Sequence, residues 1–369
     1  MMSRTKHMIK TAFIILLLPL YAFSTSLMEK YPSYEYVFLE FGIDESYIFD
    51  IDFEAFVLHN EKKMKLFYER SMKRGDALLP LIRANLMDEG LSDLFIYISM
   101  VESGFSPAIV SPKKAVGIWQ FMPATAKHYN LSVCNSFDER CDPVSSTNAA
   151  ITYLRKLHKQ FGKWYLAVMA YNCGEGRLKK AIKNANTDVL DVLLDSDAKY
   201  LPFETREYIK KILLVAMIGE SEMLDFTPRN SMDSIYLMQV EVLAGTKLSE
   251  LAKQIDMEED ELLKLNKQFK KGLIPKGEKL YTIMIPEEKM IIFYLKDEIQ
   301  EESKIIKAHL ISHYVSLGDT LEDLAEKYYT NTEEIKAVNH LSDDTLTLDT
   351  LLVIPVSQEF FEEMANYID

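Results

Sequence analysis

One acidic residue stands at a position where a helix would bury it. Apolar residues recur at helical spacing from Leu91 to Ile98, and Glu102 follows Ile98 on the same helical face. Gly104 ends this helix, so Glu102 lies in its last turn. Burial and the negative end of the helix dipole both disfavour a carboxylate there, so its pKa should rise toward that of a general acid. The alternative is a glutamate that turns out to solvent at a frayed helix end, the commoner case for Glu taken alone.

A loop further along the chain combines residue types that suit a sugar ligand. It begins at Ser111 and ends in the segment 117–123, which holds Trp119, Gln120 and Met122. Aromatic rings stack on the C–H faces of sugars, and amides hydrogen-bond to hydroxyl groups. The alternative is a structural loop that Trp119 anchors in the core.

Two later segments place polar groups at the ends of apolar helices. Asn172 lies in the sequence 170–174, where it could cap its helix or present its amide to a ligand. The sequence 201–205 is typical of a helix start, with Glu204 near the positive end of the dipole. Tyr208 follows one turn later on the apolar face, and its hydroxyl needs a partner there.

Helices must position all of these groups. Apolar spacing predicts helices through most of residues 84–219, interrupted by Gly and Pro, and therefore an all-α domain. The preceding segment, 25–84, is amphipathic and is expected to form a helical extension that leads into this domain or packs on it.

The chain changes character after Glu220, where one pattern occurs twice. In each copy a turn opens a short helix, a second helix follows, and a β-like run ends the block. The corresponding segments are 245–248, 262–266 and 283–286 in the first copy, and 318–321, 335–339 and 352–355 in the second.

Taken together, the motifs resemble those of the family 1 lytic transglycosylases, which share a goose-lysozyme-like α-helical (SLT) domain. The resemblance covers about residues 85–220, and the blocks at 235–286 and 309–356 resemble glycan-binding LysM modules, the first being divergent. The fold implied is multidomain: a mainly α lysozyme-like catalytic domain followed by two small α+β (βααβ) LysM modules. The motifs concerned are Glu102-Ser103, 117–123 with Thr125-Ala126, 170–174, and Pro202 with Glu204-Thr205 and Tyr208.

The resemblance also implies a reaction, in which Glu102 is the single catalytic residue. As an acid it would protonate the β-1,4 bond between N-acetylmuramic acid and N-acetylglucosamine. As a base it would then help the C6 hydroxyl close a 1,6-anhydro ring, so no second carboxylate is needed. No cofactor or metal is implied. The residues expected to bind substrate are Ser111, Gln120, Met122, Asn172 and Tyr208.

Two other functions remain open from the sequence. A lysozyme-type muramidase, which is a hydrolase, could use the same fold. A non-catalytic peptidoglycan-binding protein with a decayed enzyme domain is the other alternative. The intact set of Glu102, Gln120 and Tyr208 argues against the latter.

Charge and the N-terminus bear on partners and location. The net charge of −14 argues against a nucleic-acid partner. The resemblance implies peptidoglycan glycan strands as the ligand. A basic segment, 4–10, precedes an apolar run, 11–23, which predicts a signal peptide over residues 1–24; the alternative is an uncleaved anchor. Export would place the protein in the periplasm or cell envelope.

Three cysteines bear on the same compartment. Cys134 and Cys141 flank a short polar loop and could pair as a disulfide if the compartment is oxidising, or remain free thiols. Cys173 is expected to be a small buried residue.

Overall fold

The computed structural model separates the chain into two units. One comprises Met1–Glu250 with Glu258–Pro286, and the other comprises Leu251–Met257 with Glu287–Asp369. The predicted signal peptide lies outside the described residues. The residues that the structure describes are 27–224, 236–277, 279–300, 309–357 and 359–361.

The first unit is built mainly from helices, as the apolar spacing predicts. Two helices, α4 and α7, pack against the long helix α10, and so do α1 and α2 from the N-terminal region. The helices up to residue 224 are α1 (Tyr34–Phe41), α2 (Ile51–Gly75), α3 (Leu79–Asp88), α4 (Ile96–Ser103), α5 (Pro123–His128), α6 (Pro143–Phe161), α7 (Trp164–Cys173), α8 (Glu175–Ala185), α9 (Leu190–Leu194) and α10 (Phe203–Leu224).

Local sequence explains where the supporting helices begin and which face they bury. The Asp50 side chain caps α2 by accepting a hydrogen bond from the amide of Phe53 at 2.7 Å. Asp142 caps α6 in the same way through Ser145, and Pro143 occupies the first helical position. The middle of α10 is buried on all sides, from residue 212 to 219, which makes it the central helix of this domain.

Two small strand–helix–helix–strand modules follow, as the repeat predicts. The first contains β1 (Leu237–Leu243), α11 (Leu248–Gln254), α12 (Glu259–Leu265) and β2 (Leu280–Pro286), and its strands pair antiparallel. A helix, α13 (Met290–Gln300), lies between the modules in sequence. The second contains β3 (His309–Tyr314), α14 (Leu321–Lys327), α15 (Thr332–Asn339) and β4 (Leu351–Val356), again with an antiparallel pair.

One asparagine in each module shows that the two copies are equivalent. Asn266 exchanges hydrogen bonds with the backbone of Met284, both at 2.8 Å. Asn339 does the same with Val353 at 2.6 and 2.8 Å. Each side chain therefore ties the end of the second helix to the last strand, which confirms the predicted βααβ modules.

The possible disulfide between Cys134 and Cys141 is not present. Cys134 is exposed with Sγ 3.7 Å from Ser136 Oγ, whereas Cys141 is buried and its burial raises the pKa of the thiol to about 11. The loop between them is closed by the backbone, since the amide of Cys134 donates to the carbonyl of Phe137. Cys173 is also a free thiol and is partly buried.

Among the residues that the structure describes, no helix is both long enough and apolar enough to cross a bilayer.

Candidate active site

Glu102 lies in the last turn of α4, on the face that the sequence predicts. The helix buries Ile98 and Met100 and ends at Gly104, which adopts the left-handed conformation (φ 57°). The guanidinium of Arg74, from α2, donates a hydrogen bond to the carbonyl of Gly104. A Cβ at Gly104 would lie 2.6 Å from that guanidinium, which would have to shift, and the left-handed backbone angle favours glycine.

The Glu102 carboxyl is enclosed by protein and hydrogen-bonded. Tyr208 donates from its hydroxyl to Oε1 of Glu102 at 2.5 Å. The pKa of Glu102 is raised to about 7, mainly by burial; the charge of Glu204 also raises it, and the Tyr208 hydrogen bond lowers it. The residue as a whole is only partly exposed, and its enclosed carboxyl can gain and lose a proton near neutral pH.

Two tyrosines, one buried and one partly buried, border this carboxyl. Tyr208 comes from α10, and Tyr171 comes from the end of α7. Burial raises the pKa of both phenols well above the usual value, and the Glu102 charge adds to the shift. Tyr171 donates to the carbonyl of Trp119 at 2.7 Å. The two tyrosines therefore remain neutral donors beside the acid.

The loop from 111 to 121 is fastened to the helix that carries Glu102. Both Ser99 and Ser103 donate to the carbonyl of Ile118, at 3.0 and 2.9 Å. The indole of Trp119 is fully buried and donates to Thr147 at 2.8 Å. Of the two interpretations of Trp119, the core anchor is therefore correct.

The three predicted substrate-binding residues on or next to this loop differ in how they are held. The hydroxyl of Ser111 accepts from the amide of Ala115 at 2.9 Å. Gln120 has a left-handed backbone (φ 50°), and its amide donates to the carbonyl of Gly117 at 2.8 Å. Met122 is 42% exposed, which leaves its side chain open to a ligand.

A buried ion pair holds the other side of the loop. Arg140 binds both carboxylate oxygens of Asp138, at 2.9 and 2.8 Å, and donates to the carbonyls of Lys114 and Phe121 at 3.1 Å. A Cβ at Gly117 would lie 1.8 Å from the carbonyl of Arg140. The arginine and the glycine together fix the path of the loop.

Asn172 joins two of the helices at the site. Its Oδ1 accepts from the hydroxyl of Thr205 at 2.8 Å, which links the end of α7 to the start of α10. Nearby on the same segment, Glu204 lies in the first turn of α10 and pairs with Lys113 at 3.7 Å. Both partners of that pair are exposed, so it contributes little stability.

Sequence motifs identified Glu102 and Tyr208 but missed the residues that support them. The sequence places Asp138 and Arg140 in a polar loop and does not indicate that both are buried. It indicates Thr205 only as part of a helix start. A buried ion pair two residues apart has the same local pattern as an exposed polar turn, so sequence alone gave no signal for it.

Comparison with known families shows similarity to three domain models. Residues 80–190 match the transglycosylase SLT domain. Residues 236–301 match the LysM-like domain of lytic transglycosylase MltD, and residues 313–355 match the LysM domain.

Individual proteins are similar over part of their length. Membrane-bound lytic murein transglycosylase D of Escherichia coli (strain K12) is 31% identical over 297 residues, covering 74% of this chain and 62% of that protein. Soluble lytic murein transglycosylase of the same strain is 32% identical over 122 residues, covering 31% of this chain and 18% of that protein. The crystal structure of the 70 kDa soluble lytic transglycosylase from Escherichia coli matches 37% of this chain and 23% of its own, at 26% identity and a TM-score of 0.32. The matched part of the chain thus spans less than two thirds of the length of each of these relatives.

Proposed function

We propose that this chain, which carries a transglycosylase SLT domain followed by LysM-like and LysM domains, is a peptidoglycan lytic transglycosylase. The observation that carries the proposal is the enclosed Glu102 carboxyl, with a pKa near 7 and a hydrogen bond from Tyr208. Its catalytic domain extends over residues 85–220.

The proposed reaction uses Glu102 twice. The protonated carboxyl gives its proton to the glycosidic oxygen between N-acetylmuramic acid and N-acetylglucosamine as the bond from C1 breaks. The resulting carboxylate then takes the proton of the C6 hydroxyl on the same muramic acid, and that oxygen bonds to C1. The carboxyl is regenerated, no water is consumed, and the intramolecular attack has a high effective molarity.

Tyr208 orients the acid in this proposal. Its hydroxyl donates to Oε1, which leaves Oε2 of Glu102 to exchange the proton with substrate. The same donor stabilises the carboxylate formed after the first step. Ser111 and Tyr208 are assigned to polarise or position the acetamido and reacting groups of the sugar.

The remaining predicted residues bind the glycan. Asn172 uses Oδ1 to accept from Thr205, so its amide nitrogen is the group available to a sugar. The Gln120 amide nitrogen is occupied by the carbonyl of Gly117, so its oxygen is the group available. Met122 presents an exposed thioether for packing against a sugar ring.

The other domains hold or support the enzyme. Residues 309–356 are assigned to glycan binding and 235–286 to a divergent LysM module, with 25–84 as a helical extension. We assign export to a signal peptide over residues 1–24 and place the protein in the periplasm or cell envelope. The name of the membrane-bound relative supports an envelope location.

The mass of the released product tests this proposal. A digest of purified sacculi should yield muropeptides lighter by one water, about 18 Da, than the products of hydrolysis, because ring closure replaces attack by water. Products at the hydrolysed mass would instead identify a muramidase, and no product would identify a non-catalytic wall-binding protein.

A further inference from the structure

A basic cavity lies beside the segment that begins α10. Its volume is about 640 Å³, and its lining includes four cationic residues and no carboxylate. The whole chain carries a net charge of −14, so this local excess of positive charge runs against the composition. The cations are Arg177, Lys180, Lys199 and Arg206.

Three of these cations are free to meet an anion. Among the described residues, no ion pair involves Arg177, Lys180 or Lys199. All three side chains are exposed, and the first two lie three residues apart on α8, which brings them to one face.

The fourth cation is buried and only partly satisfied. Arg206 is 9% exposed; it donates from one Nη to the backbone carbonyl of Asp195 at 2.9 Å, while its Nε has no acceptor. The Asp195 carboxylate is committed to the amides of residues 197 and 198. A buried guanidinium with unused donors is costly unless a ligand completes it.

The cavity adjoins the candidate active site through one short segment. Phe203 and Arg206 line the cavity, and Thr205 between them hydrogen-bonds to Asn172. We propose that the cavity binds a carboxylate of the peptide stem carried by the glycan strand. This rests on the proposed function, because peptidoglycan stems present free carboxylates next to the muramic acid that is cleaved.

Calorimetry with the free stem peptide tests the site without catalysis. The full chain should bind a stem peptide with free carboxylates, more weakly as salt rises, and should not bind the same peptide with its carboxylates amidated. The double variant Lys180→Gln, Lys199→Gln should bind at least about tenfold more weakly, because two charge-assisted contacts are lost. Lys179→Gln with Lys183→Gln, on the same helix outside the cavity, is the matched control.

The outcomes separate this site from the reaction. Equal binding by the cavity and control variants overturns the site, and so does binding of phosphatidylglycerol vesicles in place of the peptide. A chain that releases anhydromuropeptides but does not bind the peptide overturns only the cavity. Peptide binding without anhydro products overturns only the proposed function.

A second, independent observation concerns the first small module, which is docked on the catalytic domain. The amide of Asp138 donates to the carbonyl of Gln268, and the amide of Lys270 donates to the carbonyl of Ser136, both at 2.9 Å. Phe269 stacks on Phe137 with ring centroids 5.1 Å apart. The contact thus combines backbone pairing with a buried aromatic pair.

This contact leads directly to the loop that holds Ser111 and Gln120. Asp138 pairs with Arg140, which in turn holds the carbonyls of Lys114 and Phe121. We infer that the module positions this loop, residues 111–121, which we call the substrate loop. Phe269 is then a positioning residue for the proposed reaction.

Activity on short soluble glycans distinguishes positioning from wall binding. Phe269→Ala should lower kcat/KM on short glycans about tenfold, mainly through KM, and Phe269→Tyr should restore it, because the aromatic contact is worth about a factor of ten. Leu273→Ala, on an exposed residue of the same module, is the control. If Phe269→Ala impairs digestion of sacculi but leaves short glycans at the wild-type rate, the module serves binding only and the inference is wrong.

Discussion

At the scale of single residues, the chemistry depends on where the proton of Glu102 resides. Opposing effects hold the pKa of the Glu102 carboxyl near 7: burial and the Glu204 charge raise it, and the hydrogen bond from Tyr208 lowers it. Glu204 itself is exposed and paired with Lys113, so it does not offer a second enclosed carboxyl. One acid with a pKa near 7 fits a reaction that uses the same group as donor and acceptor.

Tyr208→Phe should move the pH dependence of activity. Loss of the donor removes the interaction that lowers the pKa of Glu102, so its protonated form persists to higher pH. The alkaline limb of kcat/KM should shift upward by about one pH unit, as expected for one hydrogen bond to a charged group. Tyr171→Phe is the control, because that hydroxyl bonds to the backbone of Trp119. Identical limbs in wild type and Tyr208→Phe would contradict this account.

Glu102→Gln should make folding stability less dependent on pH. The folded pKa of about 7 exceeds the ordinary value of 4.5, so the contribution of Glu102 to stability is complete below about 4.5 and is lost as pH rises through about 7. The variant lacks this titration. As pH rises from about 4.5 to about 7, the unfolding free energy of wild type should therefore fall relative to that of the variant, by at most about 3 kcal/mol. Urea unfolding at about pH 5 and about pH 8 measures the difference; parallel changes in the two proteins would mean that the carboxyl is not enclosed.

At the scale of elements, the substrate loop is fixed by contacts from three directions. Serines of α4 hold its Ile118 carbonyl, Arg140 holds its other side, and Trp119 anchors it in the core. The loop is therefore preorganised before substrate binds, which is what precise placement of Ser111 and Gln120 requires.

Gly117→Ala should disrupt this arrangement. The added Cβ would lie 1.8 Å from the carbonyl of Arg140, and the residue has φ 88°. We expect a loss of at least about 2 kcal/mol in unfolding free energy, together with a fall in kcat/KM. Gly162→Ala, at φ 77° with open space around it, should cost only about 1 kcal/mol and leave activity unchanged. Equal losses in the two variants would show that backbone strain alone explains the effect.

Local sequence patterns predicted the elements better than the contacts between them. Helical spacing placed Glu102 and Tyr208 on buried faces of their helices, and the repeated pattern gave both βααβ modules. The cysteine spacing of the 134–141 loop left a disulfide and free thiols both open, because a disulfide-closed loop and a backbone-closed turn have the same spacing; the structure has the free thiols. The pairing of Phe137 with Phe269 joins residues far apart in sequence, and no local period encodes such a contact.

At the scale of the whole molecule, we propose different roles for the two modules. The first is tied to the catalytic domain through residues 136–138 and 268–270, whereas the second has its own core around Leu321 and Ile354. The first is divergent at its opening, and the second carries the clearer LysM sequence. Wall retention is therefore assigned to the second module.

Deleting residues 309–369 should separate retention from catalysis. Binding to purified sacculi, measured by cosedimentation, should weaken more than cleavage of short soluble glycans slows, because the candidate site lies entirely outside the deleted segment. Glu102→Gln in the full chain is the control, since it should still bind sacculi. Equal sacculus binding before and after the deletion would exclude a retention role for this module.

Release of anhydromuropeptides by Glu102→Gln tests the central claim most directly. An amide cannot cycle a proton, so the folded variant should release them from sacculi about 10²- to 10⁴-fold more slowly than wild type, the range for loss of a general acid–base group. Circular dichroism and thermal unfolding would show that the variant keeps its fold. Release at the wild-type rate would contradict the account, because the proton would then have to come from another group.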